Sequence, residues 1–255
     1  MKYLIILSLI FLPAFAQAAF GDVLNTDQDT CSIGAGGTCN ITIPSTSADS
    51  LLIIWGRDEL SGLDGVSDAS NGTWTTDLDI NTCGEFDNRN CMFAHKEGSA
   101  SGVTTLTIDG SDACFCSVYV KYIEYEGVAT TAALDVGSTD MGGSGASWTS
   151  PSLTPTGGIN ALLVGAVHSN NTGNTFTGTD DSTTRVSGDV GSQAMALQDK
   201  IISSTSGSYT VSGTVSAGVA SGALFIFKAA AAGATTLPHV YFRGQTIIRG
   251  KTIFR

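Results

Sequence analysis

The sequence predicts an all-β protein: an antiparallel β-sandwich of the jelly-roll kind with an extension strand at the C-terminus. Two observations carry this. Short runs of β-branched and aromatic residues alternate with clusters of Gly, Asn, Asp and Ser, the pattern of strands closed by turns. No stretch combines a sustained helical period with caps, so the crossover helices that a parallel sheet requires are absent from the pattern. Gly is abundant (31 of 255 residues) and charge sparse (14%), yet the apolar share of 42% suits a folded core rather than a disordered chain.

The chain begins MKYLIILSLIFLPAFAQA, with one lysine at Lys2, an apolar stretch through Phe15, and the small-x-small pattern Ala16, Gln17, Ala18. This reads as a signal peptide over 1–18, because the stretch falls short of the roughly 20 apolar residues that span a bilayer core. The expectation is a secreted protein, extracellular or at the cell surface, and not transmembrane. Residues 19–47, rich in Asp, Asn and Ser, read as an N-terminal lead-in with a disulfide loop, and 48–229 as one β-sandwich domain.

Within that domain LLIIWG (51–56) is a continuous apolar run too short for a typical helix. TWTTDLDI alternates after the Asn71-Gly72 turn, and CMFAHK and GVTTLTID follow. In SVYVKYIEYEG, Val118, Val120 and Tyr122 fall on one face and Tyr119, Lys121 and Ile123 on the other. INALLVGAVHS reads as a buried strand, NNTGNTFTGTDDSTTRVSGDVGS as an exposed loop or loosely paired ribbon. MALQDKII, GSYTVSGTVS and GALFIFKAA close the domain. In the last, Leu224 and Ile226 oppose Phe225 and Phe227, so both faces are expected to be buried.

The order LLIIWG, VSDASNGTW, CMFAHKEGSASGVTTLTIDG, VYVKYIEYEGV, INALLVGAV and MALQDKIISSTSGSYTVSGTVSAGVASGALFIFKA resembles a β-sandwich module of secreted bacterial proteins and of phage tail or virion-associated proteins, mostly of unassigned function. The resemblance covers roughly 48–229 and rests on turn and packing signatures. It implies a fold and no catalytic residue.

All six cysteines, Cys31, Cys39, Cys83, Cys91, Cys114 and Cys116, follow the signal peptide, and an even number in an exported chain points to disulfides. Local loops Cys31 to Cys39 and Cys83 to Cys91 are the simplest pairing. They leave Cys114 and Cys116, which in an extended strand share a face and meet only with strain, so bridges from these two to Cys83 and Cys91 stay open. His95, His168 and His239 are too scattered for a metal centre. No cofactor is expected. A structural calcium held by Asp27 and Asp29, or by Asp180 and Asp181, is left open.

Nucleophile elbows, zinc helices, phosphate loops and dinucleotide fingerprints do not occur in the sequence. The same-face pairs Glu124/Glu126 and Asp77/Asp79 are the carboxylates that glycoside hydrolysis would need, and they read as strand and turn decoration. The expected protein is therefore not an enzyme. A carbohydrate-binding module is the alternative, with Trp74, Tyr119, Tyr125 and Trp148 as candidate stacking surfaces if exposed.

A net charge of −11 disfavours nucleic acid. The basic residues are segregated: Arg243, Arg249, Lys251 and Arg255 lie in an acid-free tail, 239–255, behind a small-residue linker, 230–238. RGQTII and RGKTIF are two copies of a hexad. Because six is a multiple of two, each repeated residue returns to the same face of an extended chain. The tail is thus expected to be a β-strand carrying Arg243, Ile247, Ile248, Arg249, Ile253, Phe254 and Arg255. It could pair with a neighbouring subunit, giving a homo-oligomer or filament, or with its own body.

Overall fold

The computed structural model describes residues 20–34, 37–58, 63–80, 83, 90–110, 116–156, 160–190, 193–204 and 206–230. Residues 1–18, read above as a signal peptide, Cys114, His239, nearly all of the linker and the basic tail lie outside them.

The described residues form eighteen strands: β1 (Val23–Ser32), β2 (Thr38–Thr42), β3 (Leu51–Asp58), β4 (Leu63–Asp68), β5 (Gly72–Thr73), β6 (Thr75–Ile80), β7 (Cys91–Lys96), β8 (Thr105–Gly110), β9 (Ser117–Tyr125), β10 (Leu134–Gly137), β11 (Gly142–Gly145), β12 (Ser147–Thr149), β13 (Ala161–Ser169), β14 (Phe176–Gly178), β15 (Thr183–Val190), β16 (Gln193–Ile202), β17 (Ser212–Val215) and β18 (Ala220–Lys228). They build four sheets, and the fold is all-β with antiparallel pairing throughout.

The two halves of the chain repeat one topology. The first half orders its larger sheet β1-β9-β3-β7-β6 and its smaller sheet β2-β8-β4-β5. The second orders its larger sheet β10-β18-β13-β16-β15 and its smaller sheet β12-β17-β14, with β11 alongside β18. Taking β10, β12, β13, β14, β15, β16, β17 and β18 as counterparts of β1, β2, β3, β4, β6, β7, β8 and β9 makes the two arrangements coincide; β5 and β11 are the additions. The two equivalent strand sets thus run from Val23 to Lys228 and take in residues before the 48–229 stretch expected as one sandwich.

Three apolar clusters account for the burial. One joins the first half's two sheets, with Leu52, Ile54, Met92, Val118, Val120 and Tyr122 meeting Ile41, Leu63, Val66 and Ile108. Another joins the second half's, with Leu163, Val167, Leu224 and Ile226 meeting Trp148, Phe176, Val211 and Val215. The third lies where the larger sheets face each other and holds Ile53, Trp55, Phe93, Ile123 and Tyr125 against Leu162, Val164, Leu197, Phe225 and Phe227. Each larger sheet thus has apolar residues on both faces, and every residue of β3 and β13 is buried. The alternation expected for Val118 to Ile123 and for Leu224 to Phe227 is the one observed.

The lead-in 19–47 differs from expectation. It supplies β1, an edge of the first larger sheet, and β2, an edge of the smaller one. Edge position explains why the apolar signal was weak: the residues of β1 alternate between half-buried and exposed, so VLNTDQDTCS has little to bury. The polar stretch after Ser169 likewise yields only the short β14 and the edge strand β15.

At the central cluster the Phe93 and Phe225 rings stack with centroids 3.6 Å apart and planes 8° from parallel. Phe225→Ala is expected to destabilise the protein by about 3–5 kcal/mol, with both halves unfolding in one transition. Urea titrations followed by far-UV circular dichroism and tryptophan fluorescence should give coincident midpoints.

Candidate functional site: buried polar groups and a braced end

The polar side chains buried in this fold are the first place to seek chemistry. Glu124, the leading carboxylate of the sequence, is fully buried on β9. Its Oε1 accepts the Ser47 N–H and the Ser50 hydroxyl, both at 2.7 Å, and its Oε2 accepts the Asn25 amide at 2.6 Å. Ser50 and Ser99 hydroxyls are 2.7 Å apart. Glu124 thereby ties β1 and the loop before β3 to the end of β9. The other carboxylate pair is split as well: Asp77 Oδ2 lies 2.5 Å from His95 Nδ1 in a buried contact, and the His95 ring meets Phe227 edge-on at 5.4 Å. Asp79 sits above the ordinary carboxylate range through burial and the nearby charges of Asp64 and Asp58.

VSDASNGTW is organised by Asp68. Its Oδ1 accepts the Ser70 and Asn71 N–H groups at 2.8 Å, and its Oδ2 accepts the Asn71 amide and the Trp74 indole N–H at 2.9 Å. Gly72 takes the left-handed conformation the reversal needs (φ 69°). Burial opposes ionisation of Asp68, but the bonds from Trp74, Asn71 and Ser70 outweigh it and hold the carboxyl below its usual range.

Two further charged groups lie in the central region. Asp199 accepts Arg185 Nε through both oxygens, at 2.9 and 2.8 Å. Burial keeps the Asp199 carboxyl above its usual range despite Arg185 and Tyr125, and the same burial, with Asp199 close by, drives the Tyr125 hydroxyl far up. Lys121, fully buried on β9, donates its Nζ to Gln28 Oε1 on the neighbouring strand. Burial pulls its ammonium down to about 8, partly opposed by Asp189.

The disulfides gather at one end. In the first larger sheet the register pairs Ser32 with Ser117, Asp58 with Val118, and Arg57 and Ile80 with Cys91. Cys31 bridges Cys39 at this end and Cys83 bridges Cys91. Because Cys83 and Cys91 bridge each other, the alternative in which Cys114 and Cys116 reach them does not hold; Cys116 is disulfide-bonded too. Cys116 lies just outside β9, so the objection drawn from an extended strand does not apply to it. Trp55 Nε1 donates to Val167 O across the central cluster at 3.1 Å, placing this end beside the end of β13. There hydrogen bonds do the bracing: Asn174 Nδ2 to Ser169 Oγ at 2.6 Å, Ala217 N–H to Asn174 Oδ1 at 2.9 Å, and Gly173 N–H to both Asp189 oxygens at 2.8 and 2.7 Å.

Trp74, Tyr119, Tyr125 and Trp148, the stacking candidates, are all buried and offer no face to a sugar. Trp74 is held by Asp68, Tyr119 and Tyr125 point into the central cluster, and Trp148 lies over Gly165, Gly213 and Gly222. Three of the four calcium candidates are engaged with protein groups: Asp27 and Asp29 accept the next residue's N–H, Asp29 also the Thr42 N–H at 2.9 Å, and Asp180 the Ser212 hydroxyl at 2.7 Å. Among the described residues there is no group of three or more His, Cys, Asp or Glu placed to hold a metal ion, and no helix long and apolar enough to cross a membrane. Comparison with protein-family models, curated proteins and solved structures finds no match to the chain.

Two predictions follow from these buried charges. Asp68→Ala removes the acceptor of four hydrogen bonds and should cost about 2–4 kcal/mol in urea unfolding. Because the folded pKa of Asp68 is depressed, its contribution is present above pH 3.8 and fades as the pH falls through the folded value. For Lys121 the sign reverses. Its folded pKa of about 8 lies under the ordinary 10.5, so the unfolded chain binds more protons in that window and stability should rise with pH across it. Lys121→Met should stabilise the protein at pH 7 by about 1–3 kcal/mol and flatten that rise, as urea titrations at pH 7 and pH 10 would show.

Proposed function

We propose that this chain is an exported, non-catalytic structural or surface protein, made of two jelly-roll-like units joined through their larger sheets, that self-associates through its C-terminal strand. The observation that carries the non-catalytic reading is the use made of the polar side chains. Glu124, Asp68, Asp199 and the His95–Asp77 pair each end on protein groups and hold strands or loops in place. The disulfides support the export reading, since such bridges persist in oxidising compartments. Two equivalent strand orders, each a smaller sheet on a larger one, support the jelly-roll description. Self-association draws on the hexads RGQTII and RGKTIF, which with Arg255 set four cations and a row of Ile and Phe on a chain whose remaining seven basic residues after residue 18 face all 23 acids.

Deleting residues 238–255 should leave a folded monomer and remove assembled species in sedimentation velocity. Unfolding of the truncated chain, or sedimentation identical to the full-length protein, overturns the reading. Ile247→Asp combined with Ile253→Asp should act like the deletion, whereas Arg→Gln changes should alter mainly the salt dependence of assembly.

A further inference from the structure

A strand that joins a sheet needs an open edge, and the edges here are unequal. Resting on the self-association reading, we propose that the free edge of β1 receives residues 243–255 of a second copy. β1 pairs with β9 alone; its register shifts between Val23 and Asn25 and then runs unbroken to Ser32, longer than the unbroken run of any other edge strand among the described residues. The other edges are blunted. β6, β10 and β15 carry register shifts at Thr76/Leu78, Leu134/Val136 and Thr184/Val186, β2 spans five residues, and β5, β12 and β14 span two or three.

The outward N–H groups of β1 show what guards it. The Gln28 N–H donates to Asp27 Oδ1 at 2.8 Å and the Thr30 N–H to Asp29 Oδ1 at 2.7 Å, so two amides free of the ladder are covered by half-buried carboxylates. Cations draw such carboxylates away and expose the amides for pairing. In an extended tail Arg243, Arg249, Lys251 and Arg255 all fall on one face, as Asp27 and Asp29 do on β1. The tail's other face carries Ile248 and Phe254, with Ile247 and Ile253 among the cations, and Leu24 lies at the register shift of β1. Leu24 and Ile201 are the exposed large hydrophobics among the described residues, and Ile201 packs at Gly21, at the root of β1. Opposite charge therefore matches along the edge, with exposed apolar surface at its root.

The linker is long enough to carry the tail to a second copy. The last described residue and the root of β1 lie side by side: Ala230 N–H donates to Gly127 O at 2.8 Å and Gly21 N–H to Glu126 O at 2.9 Å. From there residues 231–242 reach roughly 40 Å when extended, past the about 27 Å that the eight-residue edge covers.

The test compares the full chain with Leu24→Lys, Asp27→Lys and the tail deletion, by sedimentation velocity and amide hydrogen exchange, with far-UV circular dichroism confirming that each variant is folded. The expected result is loss of assembled species in all three, and slowed exchange at Gln28 and Thr30 that appears only as the wild-type concentration rises. If the deletion gives monomers while folded Leu24→Lys and Asp27→Lys assemble as wild type, β1 is not the acceptor and the tail reading stands. Protection at Gln28 and Thr30 that is independent of concentration in a monomer overturns the second-copy donor. Assembly that survives the deletion overturns both readings.

Discussion

The constraint on which the rest of this structure depends is that its two larger sheets are apolar on both faces. β3 and β13 bury every residue, and β9 and β18 all but one. A sheet of this kind needs a cover on each side. Each half supplies one cover itself, its smaller sheet, and the other half supplies the second. Separating the halves would expose Trp55, Phe93, Tyr125, Phe225 and Phe227 together, a patch too large for an independent soluble unit. Duplicated topology here therefore yields one cooperative body.

That packing decides the fate of the polar groups. Once a strand is covered on both faces, any polar residue on it must find a partner inside the protein. Glu124 does so through three donors, Asp199 through a two-oxygen contact with Arg185, and His95 through Asp77. Lys121 is the exception in kind: it faces a neutral amide, with Asp189 acting only through its charge, so burial lowers its pKa. The residue types that suggested chemistry in the sequence thus act as staples, and the aromatic residues that suggested sugar stacking fill the core.

How much was legible follows from the same geometry. The two-faced runs in SVYVKYIEY and GALFIFK were readable because full burial leaves an uninterrupted apolar signal, and the local cysteine loops because their spacing is short. β1 and β2 were missed because edge strands bury little and carry polar residues on the open side. The repeat was missed because topology, not composition, defines it, although a trace exists: GVTTLTID before SVYVKYIEY and GSYTVSGTVS before GALFIFK share a Gly-led turn, a short strand and an apolar closing strand. Burial of Trp74 and Trp148 was not readable, since an aromatic residue in a polar neighbourhood looks the same whether the partner is solvent, a carboxylate or a row of glycines.

Strand edges, not clefts, are where such a fold can acquire a partner. A closed barrel has no edges, whereas sheets laid against one another leave two apiece. Most of those here are short or bulged, devices that prevent pairing by shape. β1 has its register shift at its start, between Val23 and Asn25, and then runs unbroken along the row that positions Asn25 on Glu124 and Gln28 on Lys121. Its edge is instead covered by charge, through Asp27 and Asp29. A shape guard excludes every strand alike, but a carboxylate guard excludes neutral and acidic strands while admitting a cationic one. The same chain carries such a segment, and this difference between the two kinds of guard is what makes a selective self-association physically reasonable on an otherwise acidic surface.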